Sequence, residues 1–245
     1  MVVANWKMNP PTWREAKKLF EMTKKAAEGA PDVLVVVAPP SMYLLPLSAL
    51  YKGKRLQFAA QHIYPGDVGA FTGEVSLAQV KDARARYCLV GHAERREMGE
   101  TNEDTSQKVS AALTYGLTPI LCIGERRRSA SGEHFTFIKE QIRAGFSLID
   151  GAKISKTIVA YEPVWAIGGE KPITPRDMHE MTIFIRKTIM ELKGEGGMNV
   201  KILYGGSANE ENTPLMLRGN GVDGLLVGHV SVDAVRFAAL IKSTR

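Results

Sequence analysis

Apolar positions along the chain follow two rhythms. Short runs rich in Val, Ile and Leu read as strands buried on both faces: Val2–Asn5, Val33–Ala38, Leu56–Ala60, Tyr87–Val90, Thr118–Ile123, Thr157–Tyr161, Lys201–Tyr204 and Gly224–Val227. Between them, apolar residues three and four apart predict helices over Trp13–Ala27, Met42–Tyr51, Thr101–Tyr115, His134–Ser147, Thr174–Leu192 and Val232–Ile241. Thr101 with Asp104, and Thr174-Pro175 with Asp177, carry the hydroxyl cap and first-turn acid of a helix start. Eight strands alternating with helices predict a parallel sheet with right-handed crossovers, and closing that sheet leaves no open edge. The expected fold is α/β, a (β/α)8 barrel forming a single domain over residues 1–245. An open doubly wound sheet is the alternative, but no G-x-G-x-x-G turn follows the first strand.

Composition narrows the function classes. With 44% hydrophobic and 24% charged residues in 245, the chain can bury a sizeable core. No apolar run approaches the roughly 18 residues that span a bilayer, and no basic-then-apolar leader opens the chain, so a cytoplasmic protein is expected. Cys88 and Cys122 lie inside strand-like runs and read as reduced core residues. The net charge of +6 is spread among acids, and Arg126-Arg127-Arg128, without interleaved aromatics, reads as a solvated loop and not a nucleic-acid surface. The Gly- and Pro-rich stretch Gln61–Ser76 carries Tyr64 and Phe71, whose rings ask for a partner surface.

In such barrels the active site gathers at the C-terminal strand ends. The residues there are Asn5 and Lys7, His92 and Glu94, Glu125, Glu162, Gly205-Gly206-Ser207 and Gly228-His229. Glycines at two consecutive strand ends let backbone N–H groups converge on a phosphate. A carboxylate, an imidazole and an ammonium group beside that cradle suit proton transfer next to a carbonyl: Glu162 takes a proton from carbon, Lys7 offsets negative charge, and His92 donates to the oxygens. No short metal-ligand spacing such as H-E-x-x-H is present, so no metal is expected. After Glu162, Pro163 and Pro172 stiffen the two ends of a segment that is soft at Gly168-Gly169, and the whole stretch Pro163, Val164, Trp165, Ala166, Ile167, Gly168, Gly169, Glu170, Lys171, Pro172 reads as a lid. Taken singly, each residue has a plainer role: a structural histidine, an ion-paired helix start at Glu94-Arg95-Arg96, a turn cap at Glu162, a solvated Lys7, a turn-closing Ser207. Their meeting at one end of one barrel favours the chemical reading.

The motifs Asn5-Trp6-Lys7-Met8-Asn9, Gly69-Ala70-Phe71-Thr72-Gly73-Glu74-Val75-Ser76, Gly91-His92-Ala93-Glu94-Arg95-Arg96, Cys122-Ile123-Gly124-Glu125, Ala160 to Gly168 and Tyr204-Gly205-Gly206-Ser207 resemble those of the triosephosphate isomerase family, from Val3 to the last helix. The resemblance implies a cofactor-independent interconversion of dihydroxyacetone phosphate and glyceraldehyde 3-phosphate by a homodimer. It implies Glu162 as base, His92 as electrophile, Lys7 as electrostatic partner, Asn5 as a donor to substrate and Glu94 as an acid beside Lys7. A neutral His held so by a helix N-terminus is the pattern for which this family is itself the standard example. Phosphate is expected on the N–H groups of Gly168, Ser207, Gly228 and His229, with Ile167 and Leu226 closing over the carboxylate. The loop Gln61–Ser76 is expected to enter the neighbouring subunit and bring Thr72 near the partner subunit's Asn5.

Three positions depart from the family pattern. Ala93 stands where Ser is usual, which removes a hydroxyl. The lid's second half reads Gly169-Glu170-Lys171-Pro172, which predicts altered lid kinetics. His229 replaces a second glycine, which adds a side chain to the cradle and would be strained if that position needs a positive φ. An isomerase of four-carbon ketose phosphates and a non-catalytic phosphate-binding barrel are the alternatives, although a binding protein has no need of the base.

Overall fold

The computed structural model describes residues 1–166 and 173–245. Eight parallel strands close into a barrel in chain order: β1 Val2–Asn5, β2 Val35–Ala38, β3 Leu56–Ala60, β4 Tyr87–Val90, β5 Thr118–Ile123, β6 Ile158–Tyr161, β7 Lys201–Tyr204 and β8 Gly224–Val227. Val2 pairs with both Val35 and Leu225, and this double pairing is the closure. Around the barrel lie α1 Trp13–Glu28, α2 Ser41–Leu50, α3 Leu77–Asp82, α4 Ala93–Glu97, α5 Asn102–Thr114, α6 Glu133–Gly145, α7 Pro175–Lys193, α8 Thr213–Leu217 and α9 Ala234–Ser243. Among the described residues no helix is long and apolar enough to cross a membrane.

The continuous apolar character of the strands follows from two cores. Val3, Val36, Leu89, Ile120, Cys122, Ala160, Leu203 and Leu226 form a small cluster inside the barrel. Their neighbours Val2, Val37, Val90, Leu121, Val159, Ile202 and Leu225 belong to a larger cluster shared with the helices. A period of two therefore sorts side chains between two apolar environments, not between core and water. Both cysteines are free and buried, and burial pushes the Cys88 thiol up to about 12.

Expected boundaries shift where side chains or turns intervene. β2 starts at Val35 because Val33 closes a turn onto the Ala30 carbonyl at 3.0 Å. β6 starts at Ile158 because the Thr157 hydroxyl donates to the Ile154 carbonyl at 2.6 Å and ends a 3₁₀ turn. A 3₁₀ turn over His229–Val232 delays α9 to Ala234. The caps form as expected: Thr101 Oγ1 accepts from Asp104 N at 3.1 Å while Asp104 accepts from Thr101 N at 2.8 Å, and Thr174 accepts from Asp177 N at 3.1 Å. The short helices α3 and α8 were not expected, being too brief to show a period. In the loop 61–76 the Phe71 ring lies tilted against Tyr64, with centroids 4.2 Å apart, and the two stems are tied by His62 Nε2 and Glu74 Oε2 at 2.6 Å.

Candidate active site

The row of residues that fills the barrel interior continues past the strand ends, and this parity aims the chemistry. Val3 leads to Asn5, Cys122 to Gly124, Ala160 to Glu162, Leu203 to Gly205 and Leu226 to Gly228. These ends open into a cleft of about 540 Å³ whose wall includes Asn5, Lys7, His92, Glu162, Ser207 and His229. The structure thus brings the strand-end residues named from the sequence to one cavity, except Glu125, which is not in its wall.

Glu162 is 2% exposed. Its Oε2 accepts from the Ala93 backbone N–H at 2.9 Å, and its Oε1 lies 3.2 Å from His92 Nε2. Burial raises its pKa, against the opposing pull of His92, the Ala93 N–H, Lys7 and Arg96. Room for it depends on two glycines: a Cβ on Gly124 would lie 1.8 Å from the Glu162 carbonyl oxygen, and one on Gly205 would lie 2.8 Å from its Cγ.

His92 caps α4, and its Nδ1 accepts the Glu94 N–H at 3.3 Å. A ring nitrogen that accepts a backbone N–H carries no proton, so the ring's proton sits on Nε2, facing Glu162 and the cleft. The same turn shows that the plainer reading of Glu94-Arg95-Arg96 as an ion-paired helix start also holds. Glu94 Oε1 meets Lys7 Nζ at 2.5 Å, while Arg96 bonds Gly91 O, Asn102 Oδ1 and Cys122 O. Lys7 has φ 53°, a strained conformation for a non-glycine residue, and Asn5 Oδ1 accepts its N–H at 3.0 Å.

On the side where phosphate is expected, the Ser207 hydroxyl donates to the Ala166 carbonyl at 2.9 Å, and the Gly228 carbonyl accepts from Ser231 N and Oγ at 2.9 and 2.6 Å. His229 is exposed at the cleft rim, and its φ is not positive; Lys7 and Arg84 are the non-glycine residues with positive φ among those described. The backbone strain considered for His229 therefore does not arise. Ile167, Gly168, Gly169, Glu170, Lys171 and Pro172, and with them most of the expected lid and one expected phosphate donor, lie outside the described residues.

The described start of that segment, Pro163 to Ala166, is anchored by a group to which the sequence reading gave no role. Glu125 is 1% exposed, and its Oε1 accepts from Tyr161 OH at 2.8 Å, Trp165 Nε1 at 2.8 Å and Arg128 Nε at 3.2 Å. Val164 N also donates to the Glu125 carbonyl at 3.0 Å. Arg128 lies over the Trp165 ring at 5.4 Å and 3.6 Å from Asp177. This corrects the reading of Arg126-Arg127-Arg128 as a solvated loop: Arg126 and Arg127 are exposed, but Arg128 is drawn inward by a buried carboxylate. Charge counting along the chain could not see that acceptor. Among the described residues, no group of three or more His, Cys, Asp or Glu side chains is placed to hold a metal ion.

The family model described as triosephosphate isomerase matches residues 1–244. Relatives named triosephosphate isomerase include that of Endomicrobium trichonymphae, 38% identical over 247 residues and covering 100% of this chain and 98% of its own. That of Lawsonia intracellularis is 38% identical over 244 residues, covering 98% and 96%, and that of Moorella thermoacetica is 37% identical over 243, covering 98% and 97%. The four-carbon and binding-only alternatives draw no support from these relatives.

The geometry makes a prediction with a definite sign. A ¹³C-carboxyl titration, with Glu162 identified by its loss in Glu162→Gln, should give a midpoint above the ordinary Glu value of about 4.3. A folded pKa raised above the unfolded one contributes stability that is full below about 4.3 and is lost as pH rises through the folded midpoint. Glu162→Gln should therefore melt higher than the native chain at pH 7, with the gap closing near pH 4. A midpoint at or below 4.3, or a gap independent of pH, contradicts this.

Proposed function

The chain belongs to the triosephosphate isomerase family, and we propose that it interconverts dihydroxyacetone phosphate and D-glyceraldehyde 3-phosphate through the residues gathered in the cleft. The observation that carries the reading is the 3.2 Å approach of His92 Nε2 to the buried Glu162 carboxylate, with Lys7 on the same cavity wall. A base and a proton donor that close together can act on a carbon and the oxygen attached to its neighbour.

In this reading Glu162 removes a proton from the carbon next to the carbonyl. The C–H electron pair moves into a carbon–carbon double bond, and the carbonyl pair moves to oxygen, giving an enediolate. His92 Nε2–H donates to the two oxygens, and Lys7, held by Glu94, offsets the negative charge. His92 carries the hydroxyl proton from one oxygen to the other while Glu162 returns its proton to the adjacent carbon, so one carbon is oxidised and its neighbour reduced with no net change. Desolvation leaves the carboxylate more basic than it would be in water, and Leu226 supplies part of that apolar wall. Asn5 and the N–H groups of Ser207, Gly228 and His229 hold the substrate, with Gly168 as a further donor; Pro163 to Pro172 shield it.

Residues 1–245 act as one domain, and the compartment is the cytoplasm. The assembly is a homodimer. Supporting it, Phe71 and Val68 on the loop 61–76 are 45% and 69% exposed, and Met8 beside the cleft is 93% exposed, apolar surface that a second copy would cover.

A coupled assay with glyceraldehyde 3-phosphate should show turnover by the native chain, and Glu162→Gln should lower kcat by about 10³-fold, the usual contribution of a general base. Turnover that survives the substitution sinks the assigned base, and preference for erythrulose phosphates moves the substrate to four carbons. Sedimentation velocity should give a dimer for the native chain and a monomer for Phe71→Asp; a native monomer removes the dimer.

A further inference from the structure

Beyond Ser207 and His229 the cleft carries a pair of charges that the mechanism leaves unused. Arg236, in the first turn of α9, lines the cleft. Its guanidinium meets the Glu210 carboxylate as a fork, with Nε–Oε1 at 3.2 Å and Nη2–Oε2 at 3.2 Å. Two parallel bonds fix orientation as well as distance, which a single contact between flexible side chains does not. Each group shifts the other: the bond from Arg236 lowers the Glu210 pKa, and the bond to Glu210 raises that of Arg236.

The partners belong to the two halves of the proposed phosphate cradle. Glu210 lies on the connection from β7 to α8, which begins with Gly205-Gly206-Ser207. That connection is stiff. Asn209 Oδ1 accepts from Glu211 N at 3.0 Å and Asn212 N at 2.8 Å, and Asn212 Nδ2 reaches back to the Ser207 carbonyl at 2.8 Å. Arg236 follows the Gly228-His229 turn, and Asp233 Oδ1, which caps α9, accepts its backbone N–H at 3.1 Å. The pairing of β7 with β8 stops at Tyr204 and Leu225, short of both halves. The Glu210–Arg236 fork bridges them past that point.

We propose that Glu210 and Arg236 are positioning residues for the phosphate group, an ion-pair clamp that sets the spacing between the Ser207 loop and the Gly228-His229 turn. The proposal rests on the phosphate-cradle reading above. Neither residue is required to touch substrate; the clamp acts through the backbone donors on either side.

Clamping and simple charge attraction predict opposite results for one variant. Glu210→Gln leaves Arg236 unneutralised at the cleft, so attraction alone would tighten anion binding, whereas loss of the clamp weakens it. We expect Glu210→Gln and Arg236→Gln each to raise KM for glyceraldehyde 3-phosphate about two- to fivefold, the range an exposed ion pair commands, with kcat within twofold. The exchange Glu210→Arg with Arg236→Glu should restore most of the loss. Calorimetric Kd values for inorganic phosphate should move in parallel with KM, and they test the clamp without reference to turnover. A KM and phosphate Kd that fall in Glu210→Gln, that stay unmoved in both single variants, or that the exchange fails to restore would overturn the clamp. Absence of turnover in the native chain would instead overturn the isomerase reading, while the phosphate titration still decides the clamp.

Discussion

Two N–H groups facing one buried carboxylate set the terms for the rest of the structure. Taking Glu162 out of water favours its protonated form, while the Ala93 N–H and the neighbouring His92, Lys7 and Arg96 favour the charged one. The balance leaves a carboxyl whose pKa is raised above its ordinary value, and a raised pKa makes the carboxylate a stronger base, which is what the proposed proton removal from carbon calls for. Barrel closure makes the balance possible. Only where β4, β5, β6 and β7 run side by side can Gly124 and Gly205 clear space for the Glu162 backbone and side chain while α4 points its first N–H groups at the carboxylate and the imidazole.

Much of this could be read from residue order alone, for an identifiable reason. Parallel strands buried on both faces leave dense Val, Ile and Leu runs such as Val35–Ala38, and a strand end is then visible as the first polar or glycine residue after the run. Asn5, Glu162, Gly205 and Gly228 are legible that way; that they continue the inward-facing row of Val3, Ala160, Leu203 and Leu226 is seen in the structure. Strand and helix ends were less visible, because Thr157 and Val232 carry the right residue type but are claimed by local 3₁₀ turns.

Contacts between distant side chains were not legible at all. Arg128 looked like one of three solvated arginines until Glu125, Tyr161 and Trp165 closed around it. The Glu210–Arg236 fork joins residues 26 apart, one on the connection from β7 to α8 and the other in α9, with nothing in either neighbourhood to suggest it. His229 shows the opposite case: strain anticipated from replacing a glycine is absent because the 3₁₀ turn keeps its φ out of the positive region, and the strained residue of the cleft is Lys7.

In the proposed mechanism hydrogen moves as a proton carried by Glu162, not as a hydride passed directly between carbons. Isomerisation of dihydroxyacetone phosphate in D₂O, followed by ¹H NMR of the product, separates the two. A proton held on a carboxyl exchanges with solvent during the lifetime of the intermediate, so deuterium should appear at C2 of glyceraldehyde 3-phosphate in a substantial fraction of product from the native chain. Product formed entirely with its original protium at C2 would contradict the account.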